Sequence, residues 1–333
     1  MVNKEGKAKQ IIRDKRLDHS GWTPKALECL LDLVTRVPLE EASLIASNFG
    51  LRISSSCLDR LSHPYREACQ EEVKTCLEQA DSLRISKDRE APKSQNEQRT
   101  MVLEIDGVYV LAQPEEGYCA GLEIKTAVLY PLNSPSQRWM LADSCSSEDF
   151  LKQVSGLLEK ADISSNDRLI GLGDGAAWID KHFDYLEALR ITDVYHATEY
   201  LDTLMQAMYW DEDKRLKHRK DWYKGQVNAK NWLEAYLPEP DTWLVWDEKA
   251  LTALNYLESR FESMNYADFK AIGLPIASGQ IEGMNKSCIG IRMKRSGMHW
   301  SDSGAASMAS LRAQTCAKHS LIDFNSLRHF AFP

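Results

Sequence analysis

The stretch MVLEIDGVYVLA, residues 101–112, decides the fold class of this chain. Its residues Val102, Val108 and Val110 are β-forming, and Asp106-Gly107 stands in the middle of the run. This composition predicts a β-strand. Because a carboxylate among apolar strand residues is costly to bury without a partner, Asp106 needs either a turn or a ligand to explain it.

Further elements follow on the C-terminal side of this strand. The pattern predicts, in order, one or two strands, a helix, a buried strand and a short strand, at residues 118–130, 146–160, 168–173 and 191–195. The buried strand ends at Asp174-Gly175, and the short one ends at His196. Three strands, a helix, a strand, a helix and a strand form an α/β order with mixed strand pairing.

A long helical segment, residues 197–270, separates the last predicted strand from the C-terminal part of the chain. It is too long for a loop, which indicates an insertion. After Gly273, the turn IASGQIEG opens a basic, helix-rich segment. We therefore expect the sheet domain in two parts, residues 100–196 and 273–333, with a helical insertion over 197–272.

Residues 1–83 predict a helical region before the sheet, and the polar segment 84–99, RISKDREAPKSQNEQR, predicts a linker. Within the helical region, Gly50 is placed to end one helix, and serines 54–56 offer a cap for the next. This layout is typical of a helix-turn-helix, with a plain helical hairpin as the alternative. The side chains that a helix-turn-helix would present to DNA are Ser55, Ser56 and Arg60.

Length and composition are those of a globular protein. The chain has 333 residues, of which 43% are hydrophobic and 27% charged. No stretch approaches the roughly 20 apolar residues of a membrane span, and the first residues, MVNKEGKAKQ, lack the apolar segment of a secretory signal. The eight cysteines are irregularly spaced, which indicates free thiols rather than disulfides or zinc ligands. We expect a cytoplasmic protein.

The chain has a net charge of −8 but contains two basic segments. Residues 214–230 carry seven Lys and Arg against Asp221, and residues 283–320 carry six against Asp302. Each segment is either a solvated helix face or a surface for a polyanion. Within the second, basic side chains alternate with glycines and an aromatic ring, which suits phosphate contact and base stacking. The candidate DNA contacts here are Lys286, Arg292, Lys294, Arg295, His299 and Trp300.

Three carboxylates occupy special positions. Asp106 lies inside a strand, Asp174 ends another, and Glu282 lies in the turn that enters the C-terminal helix. One interpretation is that each Asp-Gly pair is simply a turn. The other is that all three converge on divalent metal, since Mg²⁺ prefers oxygen ligands and two such ions can promote phosphodiester cleavage. His196 is either a structural histidine or a group near that centre.

Four motifs together resemble bacterial insertion-sequence transposases of the DDE class, in the Kra-type group near the Mutator-like transposases. They are EIDG (104–107), GLGDGAAWI (171–179), DVYHATEYL (193–201) and ASGQIEGMNKSCIGIRMKRSGMHWSDSGA (277–305). The resemblance covers roughly residues 25–315. It implies an RNase H-like catalytic domain in which Asp106, Asp174 and Glu282 are both catalytic and metal-binding, with Asp193 and His196 in support.

The resemblance also implies an activity. We expect binding of element ends, two-metal hydrolysis with Mg²⁺ or with Mn²⁺ in its place, and strand transfer by the 3′-hydroxyl. The expected partners are double-stranded DNA, as terminal inverted repeats and target, and further copies of the chain in a homodimer or larger assembly. No membrane partner is expected, and the protein would be cytoplasmic and associated with the bacterial nucleoid when bound to DNA.

Two alternatives stay open. One is an RNase H-like, structure-selective DNA nuclease that cuts without strand transfer. The other is a non-catalytic DNA-binding regulator derived from a transposase.

Overall fold

A five-stranded mixed sheet forms the centre of the computed structural model, which describes residues 23–86, 98–113, 120–164, 166–324 and 326. The strand order is β3-β2-β1-β4-β5. The strands are β1 (Thr100–Leu111), β2 (Gly121–Pro131), β3 (Trp139–Asp143), β4 (Arg168–Gly173) and β5 (Leu189–Thr192). Strand β2 is antiparallel to β1 and β3, whereas β4 and β5 run parallel to β1. The predicted α/β order with mixed pairing is confirmed.

Strand β1 runs without interruption through Asp106-Gly107. Asp106 is paired with Thr126 and Gly107 with Lys125 in the ladder to β2. The interpretation of Asp106-Gly107 as a turn is therefore wrong, because both residues are extended and bonded within the sheet. On the other side of β1, the parallel register places the end of β4 beside the middle of β1.

Two strand boundaries differ from those expected. Residues 121–131 form one strand, and the third strand lies at Trp139–Asp143, where none was predicted. The last strand ends at Thr192 rather than at His196. Asp193 caps the next helix instead, with its Oδ1 accepting from the backbone N–H groups of Tyr195 and His196. His196 thus lies in the first turn of a helix.

Helices cover both faces of the sheet. The first seven are α1 (Pro24–Arg36), α2 (Leu39–Asn48), α3 (Ser55–Ser86), α4 (Ser147–Lys160), α5 (Ala177–Tyr185), α6 (Val194–Ala207) and α7 (Glu212–Tyr223). They are followed by α8 (Ala229–Tyr236), α9 (Glu248–Arg260), α10 (Tyr266–Ala271), α11 (Gly279–Met284), α12 (Ile291–Met293) and α13 (Asp302–Cys316). A π-helix, Asn285–Gly290, joins α11 to α12. Alternate residues of β1 enter two different apolar clusters, so burial on both sides stabilises the sheet.

The N-terminal helices pack directly on the sheet domain. Helix α3 is 32 residues long and packs against α4 and α13, sharing an apolar cluster with β1. Its contact with α4 is close at Gly156, where a Cβ would lie 2.4 Å from the Leu77 carbonyl oxygen. Gly50 ends the preceding segment with φ +80°, as predicted. The short second helix of the expected helix-turn-helix is the start of this long helix, and its role with DNA stays a prediction.

Buried aromatic side chains of residues 197–272 belong to the same apolar cluster as one face of the sheet. Trp222 and Trp232 are fully buried, and the Trp232 indole N–H donates to His218 Nδ1 at 3.0 Å. In helix α7, Arg215 and Arg219 form ion pairs with Asp202 and Glu212. Part of the first basic segment is therefore neutralised within the protein rather than free for a polyanion.

Some residues for which the sequence gives an expectation lie outside the described part of the chain. Residues 1–22 and positions 87–97 of the linker lie outside the described residues. Cys119 does too, while the seven cysteines in the described part are free thiols. Within the described ranges, no helix is both long and apolar enough to cross a membrane.

Candidate active site

Asp106 is half-buried at the centre of the sheet, and its carboxylate accepts from two donors among the described residues. Its Oδ1 accepts from the Gly107 N–H at 2.7 Å, and its Oδ2 accepts from Asn285 Nδ2 at 2.6 Å. Burial and the negative charge of Asp174 together raise the pKa of Asp106 to about 6, against the opposing effects of Gly107, His196 and Asn285. The site therefore holds more negative charge than its neighbours compensate.

Asp174 follows β4 at the same end of the sheet, because β4 is the parallel neighbour of β1. Its Oδ1 accepts from the Ala176 N–H at 2.8 Å, so Asp174 also shapes the turn into α5. The insertion fixes this turn: Tyr256 donates its hydroxyl to the Asp174 carbonyl, and Arg260 donates to the Gly175 carbonyl at 2.7 Å. Gly175 has φ +84°, and a Cβ there would lie 2.8 Å from the Tyr256 hydroxyl, so glycine is required.

Glu282 reaches the same region on helix α11. Asn285, which bonds Asp106, follows it by three residues, and residues at this spacing share one face of a helix. The Glu282 carboxylate itself is paired with Lys286 at 2.9 Å, with 45% of its side chain exposed. The π-helix begins at Asn285, and such segments often occur at functional sites.

Two fully buried carboxylates hold helix α11 in place. Asp193 Oδ2 accepts from the backbone N–H and the hydroxyl of Ser278, at 2.6 and 2.7 Å. Glu104 accepts from the Ile281 N–H at 2.7 Å and from the Tyr130 hydroxyl at 2.6 Å. Burial raises the pKa of Glu104 to about 7 despite these donors, and the charge of Asp193 adds to the effect.

The two supporting residues predicted from the sequence, Asp193 and His196, differ in burial and in contacts. Asp193 is a positioning residue, because it joins the end of β5 to the segment before Glu282. His196 is exposed on the first turn of α6, and its charge acts on Asp106. Glu104 was not predicted, since a single carboxylate in a strand has the pattern of an ordinary solvent-facing residue.

The donor set partly fits a hard divalent cation. Asp106 and Asp174 supply carboxylate oxygens, and the buried Asn285 Oδ1 has no hydrogen-bond partner in the described part of the chain. An amide oxygen next to two carboxylates is a suitable ligand for Mg²⁺. However, no group of three His, Cys, Asp or Glu side chains among the described residues is arranged to hold a metal ion. Glu282 is engaged by Lys286, so the expected triad is not assembled.

The residues predicted to contact DNA include both exposed and buried side chains. Exposed side chains are those of Ser56, Arg60, Lys286, Lys294, Arg295 and His299, with Ser55 partly buried. Arg295 is held by Glu41 at 2.5 Å, and Lys286 by Glu282. For these residues, contact with DNA stays a prediction.

Arg292 is buried and Trp300 is partly buried, and each bonds to other parts of the chain. Arg292 is 2% exposed and donates through Nε to the Val34 carbonyl at 2.8 Å. Trp300 donates its indole N–H to the Met293 carbonyl, and its backbone pairs with the end of β1. Both residues therefore join parts of the protein to one another, and their predicted contact with DNA stays a prediction.

Comparisons with known proteins give little. No family model matches the chain, and no curated protein does. Among solved structures, the chain is similar to the crystal structure of the Mos1 strand transfer complex, with 14% identity over 79% of this chain and 81% of that chain. The TM-score of 0.18 is too low to support a conclusion about fold or function.

Proposed function

We propose that this chain is a DNA transposase of the DDE class, which binds element ends, cleaves a phosphodiester and transfers the strand. One observation carries the proposal. Asp106 in the middle of β1 lies beside Asp174 at the end of the parallel strand β4, and Asn285, three residues after Glu282, bonds Asp106. The strand order with β2 alone antiparallel supports an RNase H-like sheet beneath this arrangement.

Mg²⁺ is the proposed cofactor, held by Asp106 and Asp174 with Glu282 and the Asn285 amide oxygen. Bound there, the metal would activate water and neutralise charge on the phosphate. Glu282 must leave Lys286 for this, and the change costs little because an exposed pair four residues apart contributes only about 0.3–0.5 kcal/mol. While Glu282 changes partner, the hydrogen bonds of Asp193 and Glu104 keep helix α11 in position.

The proposed DNA surface uses the basic side chains that remain exposed. Lys294, Arg60 and His299 are accessible for phosphate contact, and Lys286 becomes free when Glu282 turns to the metal. Because two element ends must be joined, we propose that the chain acts as a dimer or larger assembly on DNA.

The test is nicking and joining of plasmid DNA by the full chain in Mg²⁺ and in Mn²⁺. Asp106→Asn, Asp174→Asn and Glu282→Gln each remove one charge with nearly the same shape, and we expect nicking to fall roughly 100-fold or more. Since the three act as a unit, the triple variant should be scarcely worse than one single variant. Asp241→Asn, a change at an exposed aspartate of the insertion, is the matched control and should nick normally.

The products separate the proposal from its alternatives. Nicked and joined DNA together support a transposase, whereas nicking without joining favours a nuclease. Metal-independent DNA binding with no nicking favours a non-catalytic regulator. Normal nicking by a folded Glu282→Gln protein overturns the proposed triad.

A further inference from the structure

A cavity of about 370 Å³ lies between the N-terminal helices and the C-terminal segment. Helices α2 and α3 form one wall, and residues 297–301 form another. None of Asp106, Asp174 and Glu282 lines it, so it is separate from the candidate active site. Two arginines, Arg66 and Arg292, contribute to its walls.

Arg292 is a buried cation without an ion pair. Its guanidinium lies 5.2 Å from the centre of the Trp300 ring, and Nε donates to the Val34 carbonyl. No carboxylate among the described residues lies within ion-pair distance of it. Burial and the positive charges of Arg66 and Arg312 lower the pKa of Arg292 to about 10. A guanidinium has five N–H donors, and the Val34 carbonyl that Nε contacts is neutral, so the positive charge of Arg292 has no direct counterion among the described residues.

Arg66 has an ion pair but also a buried donor without a partner among the described residues. Its side chain is 6% exposed, and Nη2 pairs with Asp59 at 2.8 Å. Its Nε is buried and has no hydrogen-bond partner in the described part of the chain. An unsatisfied buried donor is destabilising, so an anion in the cavity would satisfy the Nε of Arg66 and supply a counterion for Arg292.

We propose that this cavity binds a phosphate group. A tetrahedral oxyanion accepts paired N–H donors from guanidinium groups, and arginine suits this geometry better than lysine. The carboxylates of Glu40 and Asp59 also line the cavity, together with His63 and His299. Asp59 is paired with Arg66, and the charges of Asp59 and Glu40 act on Arg292 only beyond ion-pair distance, so the phosphate supplies the direct counterion.

The phosphate comes either from a DNA backbone or from a small free phosphate compound, and the site does not depend on the proposed transposase activity. The experiment places a carboxylate in the cavity without changing either arginine. Gln113 lines the cavity with an exposed side chain, and Gln113→Glu should repel an anion there. Gln226→Glu, an equally exposed change in the insertion, is the matched control.

Thermal unfolding of the full chain is measured with increasing inorganic phosphate, at an ionic strength held constant with sodium chloride. We expect phosphate to raise the melting temperature of the wild type and of Gln226→Glu. The apparent affinity for phosphate should fall about tenfold in Gln113→Glu because of the added like charge. Arg292→Lys, if its melting temperature in chloride is near normal, should weaken phosphate binding as well.

Binding of a short DNA duplex across a series of salt concentrations identifies the source of the phosphate. If DNA supplies it, Gln113→Glu lowers the salt slope of DNA binding by about 0.9. If a free compound does, the variant loses the phosphate response and keeps its DNA affinity. Absence of a phosphate response in the wild type, or an equal response in Gln113→Glu, overturns the site. Neither result depends on nicking, so failure of this proposal and failure of the proposed transposase are distinguishable.

Discussion

Two groups of carboxylates lie at the same end of the sheet, and they differ in how completely their oxygens are bonded. Asp193 and Glu104 are fully buried, and protein donors fill both oxygens of each. Asp106 and Asp174 have fewer donors and act on one another through their charges. The first group is committed to holding helix α11, which leaves the second group for a ligand. Carboxylates at neighbouring positions thus differ in how far protein donors satisfy them, and under the proposed function only the second group would bind metal.

The largest expected effect is a difference in the free energy of unfolding between one substitution in each group of carboxylates. Asp193→Asn replaces an oxygen acceptor by an N–H donor that faces other donors, so we expect about 3 kcal/mol of destabilisation. Asp106→Asn should cost much less, because Asp106 has fewer bonds and its negative charge is poorly compensated. Urea unfolding measures both. Ser278→Ala, which removes one bond to Asp193, is the control and should cost about 1 kcal/mol. Equal losses in the two asparagine variants would contradict the division.

The second prediction concerns the charge of Glu104. Its pKa is about 7 in the folded chain and near 4.5 when unfolded, so the folded state binds the proton more tightly. Stability from this group is therefore complete below about pH 4.5 and is lost as the pH rises through 7, by about 3 kcal/mol. Unfolding at pH 5 and pH 8 measures this loss. Glu104→Gln should show a smaller pH dependence than the wild type, and an unchanged dependence would assign the effect elsewhere.

The sequence predicted the sheet because its strands carry strong local signals. The run around Asp106 is rich in β-branched residues, and Arg168–Gly173 is a short apolar stretch before a turn. Strand β3 was missed because it is five residues long and is stabilised by pairing with β2. Residues 191–195 have β-forming composition, but Asp193 caps a helix through hydrogen bonds that local composition does not reveal.

The site was predictable in its residues more than in its contacts. Asp106 and Asp174 stood out because carboxylates at strand positions need an explanation. Glu104 did not, since its partners Tyr130 and Ile281 are distant in sequence. Arg292 was assigned to the surface because a basic segment does not indicate which of its side chains faces the protein interior.

The third prediction tests whether the less satisfied carboxylates receive a cation. We expect Mg²⁺ at ten times its dissociation constant to stabilise the chain by about 1.4 kcal/mol in the absence of DNA. The effect should be greater at pH 8 than at pH 5, because Asp106 with a pKa of about 6 is mostly protonated at the lower pH. Thermal melting measures it. Asp241→Asn should keep the response, and a full response in Asp106→Asn would exclude Asp106 as a ligand.

The smallest expected effect concerns Glu282. Its carboxylate is paired with Lys286, so it is neither fully bonded like the first group nor open like the second. Its partner Lys286 is 78% exposed, so Lys286→Met should change the free energy of unfolding by less than about 0.5 kcal/mol. The same substitution frees Glu282 and removes a positive charge near Asp106. Mg²⁺ binding without DNA should therefore tighten about twofold to threefold, as measured by calorimetry. Lys230→Met breaks a comparable pair with Glu234 in the insertion and should leave the affinity unchanged. If both variants bind Mg²⁺ like the wild type, Glu282 stays with its helix and the metal site consists of the strand carboxylates and Asn285.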